Sequence, residues 1–165
     1  MFRYAAVAAA GAVLALGTIV VVTGPAAQAA ADGPLRGVQG SAAEPARLPK
    51  SADGHFWADG EVERGTVHFL VDTGASSVFL TPDDARRLGV DPSNLLYNQT
   101  VRTAGGGVSL AAPVKLRSVS VNGVKVADVD ALVIGRGLPT SLLGMTYLGR
   151  LSKFEATPTS LVLDP

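Results

Sequence analysis

One aspartate, Asp72, lies at a glycine-containing turn between two apolar runs of the chain. The runs, residues 69–71 and 78–80, have the composition of buried β-strands. A lone carboxylate is costly to bury, so Asp72 must accept hydrogen bonds or share a proton with another acid. Enzymes place their acid–base groups in such surroundings. The stretch therefore predicts a β fold that presents one carboxylate where a strand ends.

Two short motifs carry a family resemblance. Asp72 begins the tetrapeptide Asp-Thr-Gly-Ala at 72–75, and an apolar-apolar-glycine group, Leu-Leu-Gly, follows at 142–144. This ordered pair resembles the retropepsin-like aspartic proteases, in particular the single-domain, membrane-anchored bacterial type of clan AA. The resemblance extends over about residues 55–163. The alternative is a turn-capping role for Asp72, because Asp, Thr and Gly are all common turn formers.

The resemblance implies both a fold and an activity. The implied fold is mainly β, a single-lobe acid protease domain with one or two short helices. The implied activity is that of an aspartic endopeptidase, which needs two carboxylates sharing one proton, an established property of the aspartic-protease dyad. The chain has a single Asp-[Ser/Thr]-Gly motif. We therefore expect a homodimer in which each copy supplies one Asp72 to a site on the twofold axis.

The resemblance also assigns roles around the catalytic Asp72. Thr73 is expected to hydrogen-bond across the dimer axis, and Gly74 to bring its N–H close to the carboxylate. Ala75 completes the active-site loop, where two-lobed pepsin-like enzymes usually carry a hydroxyl that lowers the pKa of the carboxyl. We therefore expect a milder acid optimum than pepsin's. Three residues are expected to brace the loop: Leu142, Leu143 and Gly144.

A polar segment over residues 97–108 predicts a hairpin with a glycine-rich tip. By resemblance this hairpin is the flap, which closes over the substrate main chain, and its glycines give a moving lid the freedom it needs. The flap residues are Thr103, Ala104, Gly105, Gly106 and Gly107. We expect both subunits to form the substrate groove, and the candidates for its lining are Val108, Leu110, Val133, Ile134 and Leu138.

Local signals outline the predicted protease domain, residues 53–165. Asn122 and Gly123 form the strongest hairpin-turn dipeptide of the chain. Thr81 is a good helix N-cap, and Gly89 fits the end of the same short helix. A second short helix is expected to start near Leu142. Further strands are expected at 56–63, 66–71, 131–134, 154–156 and 161–163.

The N-terminal part predicts a membrane segment and a linker. Residues 5–23 form a 19-residue uncharged, mostly apolar run that would span roughly 28 Å as a helix. We predict that residues 1–23 are a transmembrane anchor in the cytoplasmic (inner) membrane, with the catalytic domain on the periplasmic side because Arg3 precedes the span. The alternative is a secreted protein released by signal cleavage near residues 27–29. Residues 24–52 are rich in Ala, Gly and Pro, which predicts a flexible linker.

Composition excludes several classes of function. The chain has no cysteine, two histidines, and 14 basic against 14 acidic residues. Thiol nucleophiles and zinc–thiolate sites are thus excluded, and nothing basic favours nucleic acid. We expect no cofactor or metal, and as partners a peptide or protein substrate, a second copy and the membrane. Two other functions stay open: a catalytically silent dimer that binds extended peptides as a receptor or scaffold, and an anchored structural β-domain.

Overall fold

The fold is mainly β, as predicted, with two short α-helices and one 3-10 turn in the part of the chain that the computed structural model describes, residues 44–63, 65–102 and 106–165. The strands are β1 Ala46–Pro49, β2 Trp57–Val62, β3 Gly65–Val71, β4 Val78–Leu80, β5 Gln99–Arg102, β6 Val108–Val121, β7 Val124–Ile134, β8 Ser141–Leu143, β9 Lys153–Ala156 and β10 Ser160–Asp164. The helices are α1 Pro82–Arg87 and α2 Met145–Leu148, and the 3-10 turn is Pro92–Asn94.

Strand pairing places the end of β3 in the middle of a sheet. Six strands follow one another in the order β2-β3-β8-β4-β7-β6, β2 also pairs with β6, and β5 extends the sheet beyond β6. Strand β3 runs parallel to β8, and β4 runs parallel to β7. The residue after β3 is Asp72, so the topology holds this carboxylate between neighbouring strands rather than at a sheet edge.

Alternating side chains of the strands fill the space that this sheet encloses. In β2 every second residue is buried, and in β3 the fully buried residues are Val67 and Phe69. Gly60 lies under the Phe69 ring, where an added Cβ would lie 2.8 Å from Cε2. The period of two is the pattern of a strand with one face in a core. The Phe69 ring therefore packs against the backbone of β2.

The first predicted helix is confirmed and the second starts later than predicted. The side chain of Thr81 caps α1 by accepting a hydrogen bond from the Asp84 N–H, and Gly89 follows the helix with a φ of 83°. Residues 141–143 are not helical, because they pair with β3 as strand β8. Helix α2 begins only after Gly144, which stands at its N-cap position.

The folded domain starts before residue 53. Strand β1 pairs antiparallel with β10, with Leu48 opposite Leu161, and both side chains are buried. The linker prediction is therefore wrong for residues 46–49. The proline in this segment suggested a linker. Pro49, however, is the last residue of a strand at a sheet edge, a position where proline is tolerated.

Much of the N-terminal prediction falls outside the described residues. The predicted anchor, residues 1–23, and the linker up to residue 43 lie there. Within the stretches 44–63, 65–102 and 106–165, no helix is both long and apolar enough to cross a membrane.

We expect Tyr147 to make stability fall at high pH. Its fully buried hydroxyl donates to the Val124 carbonyl oxygen at 2.8 Å, and burial raises the pKa of the phenol. In the unfolded chain a tyrosine loses its proton near pH 10, so the free energy of unfolding should fall above that pH, by up to about 1.4 kcal/mol per pH unit from this residue. Below pH 10 this contribution is fully present.

Urea unfolding between pH 7 and pH 11 measures the effect. Tyr147→Phe should cost about 1–2 kcal/mol at pH 7, since the hydrogen bond to the Val124 carbonyl oxygen is lost, and should make the decline above pH 10 shallower. Equal slopes for the wild type and the variant above pH 10 would contradict the prediction.

Candidate active site

Backbone hydrogen bonds orient Asp72 at the end of β3. Its N–H donates to the Leu143 carbonyl oxygen at 3.1 Å, and its own carbonyl oxygen accepts from the Ala75 N–H at 3.2 Å. Its carboxylate Oδ1 accepts the Gly74 N–H at 2.8 Å, while the side chain is half-buried. The carboxylate thus has a fixed orientation and stays in contact with the surface. Thr73, the next residue, is exposed.

The segment predicted to brace the loop does contact it. Gly144 packs so closely under the loop that an added Cβ would lie 2.6 Å from the Ala75 carbonyl oxygen and closer still to that of Ser77. The Met145 N–H donates to the Ala75 carbonyl oxygen at 2.9 Å. No side chain fits at residue 144, so the glycine allows β8 to lie against the loop.

A further brace, Thr146, was not predicted from sequence. Its hydroxyl accepts from the Val78 N–H at 2.8 Å and donates to the Asp130 carbonyl oxygen at 2.7 Å. The Ser77 hydroxyl donates to the same carbonyl oxygen at 3.3 Å. Thr146 therefore joins the end of the loop to β7. A lone threonine after Gly144 carries no sequence signal for contacts with residues so distant in the chain.

Asp72 opens into a cavity of about 690 Å³. Its lining is mostly apolar, and among the described residues that line it the charged ones are Asp72 and Arg102. The other lining residues are Leu70, Gly74, Ala75, Phe79, Val101, Ile134, Gly137, Leu138, Pro139, Thr140 and Leu142. The cleft therefore offers an apolar surface next to a carboxylate.

The groove candidates divide into three sets. Ile134 and Leu138 line the cavity of Asp72. Val133 does not, because its side chain packs in the main hydrophobic core. Val108 and Leu110 are exposed and line a separate cavity of about 500 Å³. The prediction is therefore wrong for Val133. For Val108 and Leu110 it stays a prediction, because it concerns a groove formed by two subunits.

The predicted flap is a hairpin of β5 and β6 beside the cavity. The two strands pair from Gln99 opposite Ala111 to Arg102 opposite Val108, and β5 contributes Val101 and Arg102 to the cavity lining. At the tip, Gly106 has a φ of 76°, in the region that favours glycine. The predicted flap residues Thr103, Ala104 and Gly105 lie outside the described residues, and Gly107 borders β6.

Comparisons with known proteins agree with this architecture. The family model described as gag-polyprotein putative aspartyl protease matches residues 58–150. The crystal structure of a retropepsin-like aspartic protease from Rickettsia conorii is similar, with 37% identity and a TM-score of 0.66, and the match covers 73% of this chain and 98% of that one.

Two curated proteins are also similar. One is an uncharacterized protein in the cobV 5′ region of Sinorhizobium sp, 39% identical over 117 residues, which are 70% of this chain and 50% of the relative. The other is the uncharacterized protein RP867 of Rickettsia prowazekii, 38% identical over 117 residues, which are 71% of this chain and 50% of the relative. The chain spans about half the length of both relatives. The extent of the family match and the identity to the Rickettsia conorii protease show that the chain belongs to the retropepsin-like aspartic protease family.

Proposed function

We propose that this protein is a membrane-anchored, homodimeric aspartic endopeptidase. The observation that carries the proposal is the setting of Asp72, held by the Gly74 N–H at 2.8 Å in a largely apolar cavity beside a flap-like hairpin. The described residues that line this cavity include a single carboxylate. The aspartic mechanism needs two, so the second Asp72 comes from a second copy.

The two carboxylates divide the work of acid and base. The ionised Asp72 takes a proton from the attacking water, and the protonated Asp72 of the other copy donates its proton to the carbonyl oxygen. A tetrahedral intermediate forms as the new C–O bond is made. Its collapse breaks the C–N bond, and the departing nitrogen takes up a proton from the dyad. The substrate class that suits the cavity is an extended peptide with large apolar side chains at the cleaved bond.

The exposure of Thr73 supports the dimer. Because Thr73 is exposed beside the half-buried Asp72, a second copy of the loop could hydrogen-bond its hydroxyl across a twofold axis. Residues 5–23 support the anchor, since their length and apolar character suit a bilayer span. Anchoring both copies in one membrane raises their effective concentration, so a weak dimer would suffice.

The dependence of activity on protein concentration tests the dimer. A fragment of residues 44–165 keeps strand β1, whereas one starting at residue 53 would lack one of the two strands that pair with β10. With a diverse peptide mixture at about pH 4–7, the activity per molecule of the 44–165 fragment should rise with its concentration until dimers saturate.

The full-length protein in detergent provides the comparison, with analytical ultracentrifugation to measure the dimer fraction. Activity per molecule that stays constant down to concentrations at which the protein is monomeric would exclude the shared site. A folded dimer that binds peptides without cleaving them would favour the receptor or scaffold function.

A further inference from the structure

We propose that Asp84 is a positioning residue for the catalytic loop, acting through Ser141. The effect on kcat that we expect rests on the peptidase function proposed above, whereas the effect on the structure of the loop does not. Asp84 lies on α1, is 6% exposed, and belongs to neither the cavity lining nor the loop. A buried carboxylate is costly unless it is paired and hydrogen-bonded, so its contacts identify what it holds in place.

Three side chains contact the Asp84 carboxylate. Oδ2 accepts from the Ser141 hydroxyl at 2.5 Å and from the Thr81 hydroxyl at 2.9 Å. Oδ1 pairs with the Arg87 guanidinium at 2.7 Å. The Ser141 oxygen also accepts the Thr81 N–H at 3.0 Å. Thr81 and Arg87 belong to α1 and its cap, whereas Ser141 is 57 residues away in sequence.

Ser141 is the first residue of the strand that holds Asp72 in place. It is fully buried and lies opposite Phe69 of β3. Two residues later, the Leu143 carbonyl oxygen accepts the Asp72 N–H at 3.1 Å. Strand β8 has only three residues, which pair with β3 on one side and at a single position with β4 on the other, so few ladder hydrogen bonds fix its position. The Ser141–Asp84 bond therefore fixes one end of β8.

The other end of β8 transmits any shift to the loop. Gly144 has no room to move towards the Ala75 and Ser77 carbonyl oxygens, and the Met145 N–H is bonded to the Ala75 carbonyl oxygen at 2.9 Å. A displacement of β8 must therefore move the loop as well. Displacements near 1 Å at a reacting group cost about 100-fold in rate.

Kinetics of the full-length protein separate positioning from general stability. Ser141→Ala removes the bond to Asp84 together with the acceptor of the Thr81 N–H, and should lower kcat about 10-fold or more with KM changed by less than about 2-fold. Asp84→Asn keeps an acceptor for the Ser141 hydroxyl and should stay within about 3-fold of the wild-type kcat, whereas Asp84→Ala should resemble Ser141→Ala. Asp83→Asn, the exposed neighbour on the same helix, is the matched control and should leave kcat unchanged.

Amide hydrogen exchange tests the role of the Ser141–Asp84 hydrogen bond without relying on catalysis. In Ser141→Ala the Asp72 and Met145 amides should exchange at least about 10-fold faster, while core amides such as that of Val119 keep their wild-type protection. Ser141→Cys, which keeps the packing but supplies a weak donor, is the substitute if Ser141→Ala does not fold. An inactive wild type would contradict the peptidase function, but the exchange measurement would still test the positioning role. Unchanged exchange at Asp72, or an equal increase at every amide, would overturn the positioning role.

Discussion

Replacing Asp72 with asparagine should lower kcat by about 1,000-fold or more without dissociating the dimer. An amide neither takes a proton from water nor shares one with a second carboxylate, so both chemical roles are lost. The backbone of the loop should keep its shape, because the Gly74 N–H, bonded to Oδ1 at 2.8 Å, can donate to the amide oxygen instead. Cleavage of a peptide mixture and sedimentation of the variant measure the two effects.

Asp59→Asn is the control for this substitution. Asp59 is 72% exposed and bonded to His68, and it does not line the cavity of Asp72. The control should cleave at the wild-type rate. Cleavage at that rate by Asp72→Asn would show that Asp72 is not catalytic and would leave its turn-capping role as the explanation of the motif.

Gly144→Ala should be the most damaging single change outside the dyad. The new methyl group would lie 2.6 Å from the Ala75 carbonyl oxygen and closer to that of Ser77, and neither backbone atom can move without displacing the loop. We expect a loss of about 3 kcal/mol or more in the free energy of unfolding, together with loss of activity. Urea unfolding and the kcat of the surviving folded protein are the measurements.

Gly89→Ala is the matched control for Gly144→Ala. Gly89 has a φ of 83°, with nothing within 4 Å of an added Cβ, so alanine there suffers only backbone strain. We expect a cost of about 1 kcal/mol and unchanged activity. Equal destabilisation by the two substitutions would show that the close packing at Gly144 is not what holds the loop.

Elements fixed by local chemistry could be predicted from the sequence. The N-cap Thr81, the stop at Gly89 and the turn at 122–123 each depend on neighbouring residues, and all appear where expected. The predicted start of the second helix was wrong because two apolar residues, Leu142 and Leu143, are equally consistent with a buried helix and a buried strand. They form a strand because they pair with β3 and β4, both more than 60 residues earlier in the chain.

The sequence predicted the catalytic loop of the candidate site but not the residues around it. The motif identified Asp72 and its loop, but not which side chains line the cavity. Residues 131–134 form a continuous apolar run, so periodicity does not tell whether Val133 or Ile134 faces the cavity. The hydrogen bond between Ser141 and Asp84 joins residues 57 apart in the sequence and has no sequence signature.

Mixing subunits tests the shared site most directly. Wild-type and Asp72→Asn chains are combined at a fixed total concentration, allowed to exchange, and assayed for peptide cleavage as the wild-type fraction is varied. If both Asp72 carboxylates are needed, activity follows the square of the wild-type fraction, and an equal mixture retains about one quarter of the activity. A linear dependence, with about one half retained, would mean that each chain acts alone and would contradict the shared dyad.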